Sequence, residues 1–451
     1  MSNLAVDNSG FNGARPSQLE LRFNRIELNK KWSLAPSPKR LNGYWATHSY
    51  ANACIVERLA AQFKGSAYFS GARFHRKVYL PIISSILANL LNAYDHGLQI
   101  IYSRNTGNNL EWINVWDFLV EMQFVNTVIA DKSDSGVKSW AVALPELISL
   151  LHQDNARIVF DSRKPSIEIR DSNKKALPVP QHRATNLKYN RSEKDTAAFN
   201  SMWEGHTVTL DKKNIVPYVR RLFNGSLNHG GRFYGDFQRI PSKDRKRIKI
   251  DGQATIELDF SCIHLAILYA WQGIQIDYDQ AYILEGYDRE TVKAITLRML
   301  NIESVKVLKR AITLSANPRN QDKYTAYKTE RAIHDRLRSK GLRSNAPNKP
   351  PWIDSFIENI PSNTDTEKLI EAFMDCHSDV EKYIGSKSIG LRLQAEDSKI
   401  MALVLNTLRL DKVLALPVHD SIIIQKNSSK RAELVMRNCF KKVTGFHARI
   451  K

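Results

Sequence analysis

Between about residues 44 and 152, apolar side chains recur at intervals of three and four, a spacing that predicts helices over 51–63, 78–94 and 112–124. A second rhythm overlaps the last of these: a helix at 116–121, a strand at 125–130, a polar turn at 131–136 and a strand at 139–143. Helix followed by a two-stranded wing is the outline of a winged-helix, nucleic-acid-binding module. A helix packed on an ordinary hairpin has the same outline, and that reading is preferred. Downstream the pattern changes. Residues 255–260 alternate, and unbroken apolar runs at 413–418 and 422–425 read as buried strands. Helical spacing returns at 263–273, 288–297 and 397–408. Residues 1 to about 40 are polar, basic and dotted with Pro16, Pro36 and Pro38, which suggests a partly disordered arm. Residues 171–200, with Pro178 and Pro180, read as a connector. The expected organisation is therefore an arm (1–40), a mainly helical N-terminal region (41–200) and a mixed α+β region (201–451).

Two apolar runs end in a carboxylate: Asp259 in Thr-Ile-Glu-Leu-Asp-Phe-Ser-Cys-Ile-His, and Asp420 in Leu-Pro-Val-His-Asp-Ser-Ile-Ile-Ile. A buried strand seldom ends in a charge unless a cation neutralises it. An Asp-Ser turn closing a hairpin explains Asp420 alone, but not the pair. Two such carboxylates can hold two Mg²⁺ ions about 3.5 to 4 Å apart, with Mn²⁺ as a substitute, for in-line phosphoryl displacement. Asp259 and Asp420 are thus the candidate metal ligands and catalytic residues. Strand alternation puts Glu257 on the same side as Asp259. It reads equally well as an auxiliary acid or as the partner of a nearby basic residue.

Charge points to the same chemistry. Lys plus Arg number 66 against 46 Asp plus Glu, a formal net charge of +20, so a polyanion is the natural partner. Lys243, Arg245, Lys246, Arg247 and Lys249 crowd together just after the turn His229-Gly230-Gly231-Arg232. Such a run is often only a solvated face; beside a glycine-arginine turn, phosphate binding is favoured. In the helix at 288–297, Arg289 and Lys293 share a face that Leu297 and Asn301 continue, a stripe able to grip a triphosphate. Lys309 and Arg310 form a second, lower-ranked candidate. With 43% hydrophobic content, 451 residues can bury a sizeable core in two to three domains. Cys54, Cys262, Cys376 and Cys439 are scattered, which indicates neither zinc nor a disulfide framework. The N-terminal residues lack a signal-peptide pattern, and no run of about 18 apolar residues occurs, so a cytoplasmic protein without a membrane partner is expected.

Taken in order, these segments resemble the palm and fingers of family A DNA polymerases and of their relatives, the single-subunit phage-type RNA polymerases, over about residues 214–451. The family's Thr-Gly-Arg followed by Gln-Asn-Ile-Pro is similar to Gly231-Arg232 with Gln238-Arg239-Ile240-Pro241. Its Asp-Tyr-Ser-Gln-Ile-Glu-Leu-Arg motif is similar to Asp259-Phe260-Ser261-Cys262-Ile263-His264-Leu265-Ala266. The nucleotide helix Arg-x-x-x-Lys-x-x-x-Phe matches at Arg289 and Lys293 and departs at Leu297. The glutamine before the last palm helix looks like Gln394, and Val-His-Asp-Glu is matched by Val418-His419-Asp420 with Ser421 in place of Glu.

The resemblance implies an α+β right-hand architecture with a fingers insertion at about 280–390. It implies that Asp259 and Asp420 ligate Mg²⁺, and that Arg289 and Lys293 bind the incoming nucleoside triphosphate, with His264, Leu297 and Asn301 at neighbouring positions. Arg232 and Gln394 would track the primer-template minor groove, with Gln238 among the nucleic-acid contacts and His419 supporting the primer end. The family's sugar-selecting Glu and two aromatics are replaced by His264, Leu297 and Asn301, which leaves sugar selectivity open. The first 200 residues contain no Asp-x-Glu pair, so no proofreading exonuclease is expected. The expected activity is a template-directed nucleotidyltransferase, a DNA polymerase extending a primer on DNA or RNA. Alternatives are a single-subunit RNA polymerase or primase-like enzyme, a template-independent tailing enzyme and, in another class, a non-catalytic DNA-binding replication initiator or defence factor.

Overall fold

The helical spacing between residues 44 and 152 is realised as Ile55–Lys64 (α1), Arg76–Asp95 (α2) and Leu110–Glu121 (α3), joined by a fourth helix, Pro145–Gln153 (α4). The computed structural model describes residues 39–40, 45–48, 55–69, 71, 73–95, 99–102, 110–129, 139–154, 156–160, 165–203, 205–211, 213–302, 304–339, 345–386 and 388–451. The arm expected over 1–40 lies outside them apart from Lys39–Arg40. The architecture is mixed α+β. Two units make up the chain: Met1–Asp161 with Ile333–Asn345, and Ser162–Ala332 with Ala346–Lys451.

The first unit carries strands as well as helices: Lys39–Arg40 (β1), Trp45–His48 (β2), Ile100–Tyr102 (β3), Val125–Val128 (β4), Ser139–Ala143 (β5) and Arg157–Phe160 (β6). The hairpin expected after α3 forms from β4 and β5, and its second edge is also taken: β5 pairs with β3, giving a four-stranded sheet in the order β1-β3-β5-β4. Strands of two to four residues show no measurable period, which is why β1, β2, β3 and β6 escape a pattern reading. The core gathers Leu59 and Phe63 of α1, Ile83, Ile86 and Leu90 of α2, Trp116 and Leu119 of α3, and Leu147 of α4. Among the described residues no helix is long and apolar enough to cross a membrane.

The second unit begins with Ile167–Arg170 (β7), Arg183–Ser201 (α5), Val208–Leu210 (β8), Lys213–Asn214 (β9), Arg220–Asn224 (β10) and Ser226–Tyr234 (β11). Then follow Ser242–Arg245 (α6), Ile248–Ile250 (β12), Gln253–Asp259 (β13) and Ile263–Trp271 (α7). A helical stretch comprises Arg289–Met299 (α8), Val305–Ala316 (α9), Pro318–Ser339 (α10), whose residues from Ile333 onward are counted with the first unit, and Thr366–Cys376 (α11). The last elements are Ile389–Leu410 (α12), Ala415–Val418 (β14), Ser421–Gln425 (β15) and Ser429–Thr444 (α13). A six-stranded sheet runs β14-β15-β13-β12-β8-β9. Ile422, Ile423 and Ile424 are all at most 1% exposed, so β15 is buried on both faces, as its unbroken apolar run predicts. They pack with Val404 and Leu408 of α12, Met436 and Phe440 of α13, and Leu268 of α7. A separate core, with Val292, Ile295, Leu308, Ile312, Leu369 and Phe373, joins α8, α9 and α11.

The strand β11 is irregular where its glycines stand. Its register with β10 shifts next to Phe223, which pairs with Gly230, and Gly230 and Gly231 take φ of 72° and 81°. A bulge of this kind re-aims the next side chain, here Arg232. The turn is braced from beneath by Arg221, whose Nε donates to the Gly231 carbonyl at 2.9 Å. Its guanidinium lies 5.0 Å from the Phe223 ring centre and 4.8 Å from that of Phe233. Burial lowers the Arg221 pKa to about 10. A Cβ on Gly231 would stand 2.4 Å from the Phe223 ring. Gly231→Ala therefore meets both a left-handed backbone and a blocked volume. It should lose at least about 1–2 kcal/mol in a denaturant titration, and an unchanged midpoint would contradict this account of the bulge.

Candidate active site

Asp259 ends β13 and Asp420 stands in the two-residue turn between β14 and β15. The register pairs Asp259 with Ser421 across antiparallel strands, and Phe260 N–H donates to the Asp420 carbonyl at 3.3 Å. Adjacent strands lie about 4.8 Å apart. Two acids distant in sequence are thus neighbours at one sheet end. His419, ahead of Asp420 in the turn, takes φ of 56°, where glycine is usual. Its ring meets Tyr234 edge-on, with 6.2 Å between ring centres. The protein wall behind it and the Arg232 charge lower its pKa.

Both aspartates are uncomfortable as anions. Burial raises the Asp259 pKa, and the Asp420 charge adds to the rise, while Lys451 works against it. Burial likewise raises that of Asp420, helped by the Asp397 charge and opposed by His264 and Arg232. The Lys451 ammonium lies 3.1 Å from Asp259 Oδ2. Among the described residues Asp420 has no ion-pair partner.

Glu257 has been drawn into structure. Arg245 grips it with Nε at 3.0 Å and Nη2 at 2.9 Å, and the Ser421 hydroxyl donates to it at 2.6 Å. Of the two readings open for Glu257, pairing with a basic residue is the one realised. Arg245 accordingly faces inward instead of toward a nucleic acid, because a fork-shaped guanidinium matches a carboxylate. Arg247 is likewise engaged, with Asp211 at 2.6 Å and Asp244 at 3.0 Å. Lys243, Lys246 and Lys249 remain exposed without an ion-pair partner among the described residues.

Beside Asp420 stands a group the sequence concealed. Asp397, 2% exposed, accepts from Arg232 Nε at 3.1 Å and Nη2 at 2.5 Å, and lies 2.8 Å from His264 Nε2. Burial alone would lower the Arg232 pKa, yet the Asp397 bond and charge raise it. Arg232 and His264 are therefore turned toward Asp397. Asp397 reads as a helix start in the sequence, since Asp favours that position. In the fold α12 begins eight residues earlier, with Ile389 and Leu393 buried, and Asp397 is interior. Gln394 sits half-buried on the same helix. Gln238 is spent on the backbone: its Nε2 donates to the Phe233 and Pro417 carbonyls at 3.0 and 2.7 Å, tying β11 to β14.

The helix α8 is capped by Asp288, whose Oδ1 accepts from Glu290 N–H and Thr291 N–H, both at 2.9 Å. The cap presents Arg289, exposed, over the Tyr282 ring at 5.1 Å. Tyr282 has its pKa raised by burial, and it senses Arg289, Asp420 and Asp259 together. The contact the structure gives Arg289 on this side is with the Tyr282 ring. One turn on, Lys293 is half-buried and has no ion-pair partner among the described residues; Leu297 is 51% exposed, and Asn301 donates to the Leu297 carbonyl at 2.7 Å. In the second basic candidate Lys309 pairs with Glu367 of α11, whereas Arg310 is exposed with no ion-pair partner among the described residues.

Among the described residues no three His, Cys, Asp or Glu side chains cluster as a metal-binding group. The donor set is two carboxylates with no nitrogen or sulfur, which suits a hard cation such as Mg²⁺. An ammonium already lies on one of them. Two repelling carboxylates that attract a cation fit the expected ions.

No family model and no curated protein matches the chain. Among solved structures the chain is similar to the polymerase domain of Pol1 from M. smegmatis, determined in complex with DNA primer-template and dNTP. The identity is 11%, the TM-score 0.30, and the match spans 97% of this chain and 69% of that one. A likeness this distant carries no chemical information.

Because the folded pKa of Asp420 is raised, its charge costs stability at every pH above the unfolded carboxylate value of about 3.9. Asp420→Asn should melt higher than the wild type at pH 7.5 in EDTA, with the gap closing as the pH falls toward about 4. An equal or lower Tm at pH 7.5 would contradict the raised pKa. Asp397→Ala should behave oppositely, losing about 3–5 kcal/mol by stranding the Arg232 guanidinium, which is 19% exposed. Chemical denaturation reads that loss.

Proposed function

We propose that the second unit is a metal-dependent nucleotidyltransferase that extends a nucleic acid strand on a template, with DNA synthesis the preferred reading. The observation that carries it is the meeting of Asp259 and Asp420 at one sheet end, with Arg289 of α8 presented over the Tyr282 ring. Asp259 and Asp420 would hold Mg²⁺, which when bound activates a hydroxyl and neutralises charge on the transferring phosphoryl group.

The chain's own residues then divide the work. Arg289 and Lys293, one helical turn apart, receive the triphosphate; Arg is always charged and Lys293 has no competing carboxylate. The Asp397–Arg232–His264 group fixes the wall beside Asp420, so the carboxylate meets a constant field. Arg245 removes Glu257 from competition for the metal by saturating both its oxygens. Lys243, Lys246 and Lys249 offer phosphate contacts without internal partners.

Primer extension with dNTPs, and in a parallel arm with NTPs, tests the proposal. The wild type should incorporate templated nucleotides with Mg²⁺ or Mn²⁺. Metal ligation supplies several kcal/mol at the transition state, so at about 1.4 kcal/mol per tenfold, Asp259→Asn and Asp420→Asn should each lose roughly a hundredfold or more. Arg289→Ala should chiefly raise the KM for the triphosphate. Incorporation of neither sugar by the folded wild type would overturn the reading, and product without a template would point to tailing.

A further inference from the structure

The segment after α13 does not trail away; it returns along the edge of β13. Ser261 N–H donates to the Arg449 carbonyl at 2.9 Å, Asp259 N–H to the Lys451 main-chain oxygen at 2.9 Å, and Lys451 N–H to the Asp259 carbonyl at 3.0 Å. Between them Ile450 bridges Phe260. The segment is also fastened from the far side. Gln275 exchanges two bonds with the His447 backbone, at 3.1 and 2.8 Å, and the Tyr278 hydroxyl donates to the His447 carbonyl at 2.9 Å. Arg449 forks onto Asp279 at 2.7 and 3.1 Å, and Arg437 donates to the Ala448 carbonyl at 2.8 Å. The backbone of Lys451 is therefore fixed against Asp259, while its side chain is 61% exposed.

That side chain completes a pattern. Glu257 has Arg245 and Asp397 has Arg232, both guanidinium forks turned inward. Asp259 has instead a single ammonium, on a side chain 61% exposed, while Asp259 itself is only 30% exposed. An exposed lysine exchanges readily with water, and such pairs are weak. The forks are largely buried, whereas the ammonium is on an exposed side chain.

We infer that Lys451 is a resident counter-ion of the metal-site carboxylate, competing with the divalent cation for Asp259 and so setting the metal concentration the site requires. The inference rests on the reading of Asp259 and Asp420 as metal ligands. The ammonium stabilises the crowded carboxylates, and the cation displaces it toward solvent. Its backbone bonds to β13 do not depend on the side chain, so the strap survives substitution.

Calorimetric titration of the full chain with Mn²⁺ tests this without reference to turnover. Lys451→Met should tighten the Mn²⁺ dissociation constant by about two- to fivefold, the strength of an exposed ion pair. Lys451→Arg should stay near the wild type. Equal or weaker Mn²⁺ binding by a folded Lys451→Met protein would overturn the inference while leaving the metal site intact. If Asp420→Asn binds Mn²⁺ as tightly as the wild type, the metal-site reading itself fails, and this inference with it.

Discussion

The pairing of β13 with β15 is the constraint on which the rest depends. Its register sets Asp259 opposite Ser421, so the turn residue Asp420 is delivered next to a carboxylate far away in sequence. Three consecutive isoleucines bury the strand on both faces, and the Ser421 hydroxyl, bonded to Glu257 of β13 at 2.6 Å, marks that register. The hydrophobic core thus enforces an electrostatic conflict: two like charges, partly withdrawn from water, at one edge. Neither would choose that place on its own.

Around this conflict the molecule distributes its cations unequally. The acids that build structure, Glu257 and Asp397, receive rigid, inward-facing guanidinium forks. Asp259 receives a loosely held ammonium, and Asp420 receives no ion-pair partner among the described residues. Supports reach back several layers: Arg221 braces the glycine bulge, the bulge aims Arg232, Arg232 holds Asp397, and the Asp397 charge helps raise the Asp420 pKa. The proposed cation site calls for this division, with fixed walls and an unsatisfied centre.

Much of this was legible in the sequence, and the failures have physical causes. Apolar runs ending in Asp259 and Asp420 announced both the strands and the unmet charge. The spacing of Arg289 and Lys293 announced one helix face. The basic run at 243–249 reads as uniform because sequence does not show which cations already have partners; Arg245 and Arg247 do, whereas the lysines have no ion-pair partner among the described residues. Asp397 was invisible as a site residue, since an aspartate beside polar neighbours looks like a helix cap, and only the fold brings Arg232 and His264 to it. Gln238 lay in a motif yet braces two strands. Lys451 could not be found by any pattern, because its partnership with Asp259 arises from a returning segment held by backbone hydrogen bonds.

The most direct measurement is a crystal structure of the protein soaked with Mn²⁺ and a nucleoside triphosphate, with the metal located by its anomalous scattering. The account predicts manganese between the carboxylates of Asp259 and Asp420, the triphosphate directed toward Arg289 and Lys293, and the Lys451 ammonium moved off Asp259. Manganese bound elsewhere, or a triphosphate on Lys309 and Arg310 with Lys451 still on Asp259, would contradict it.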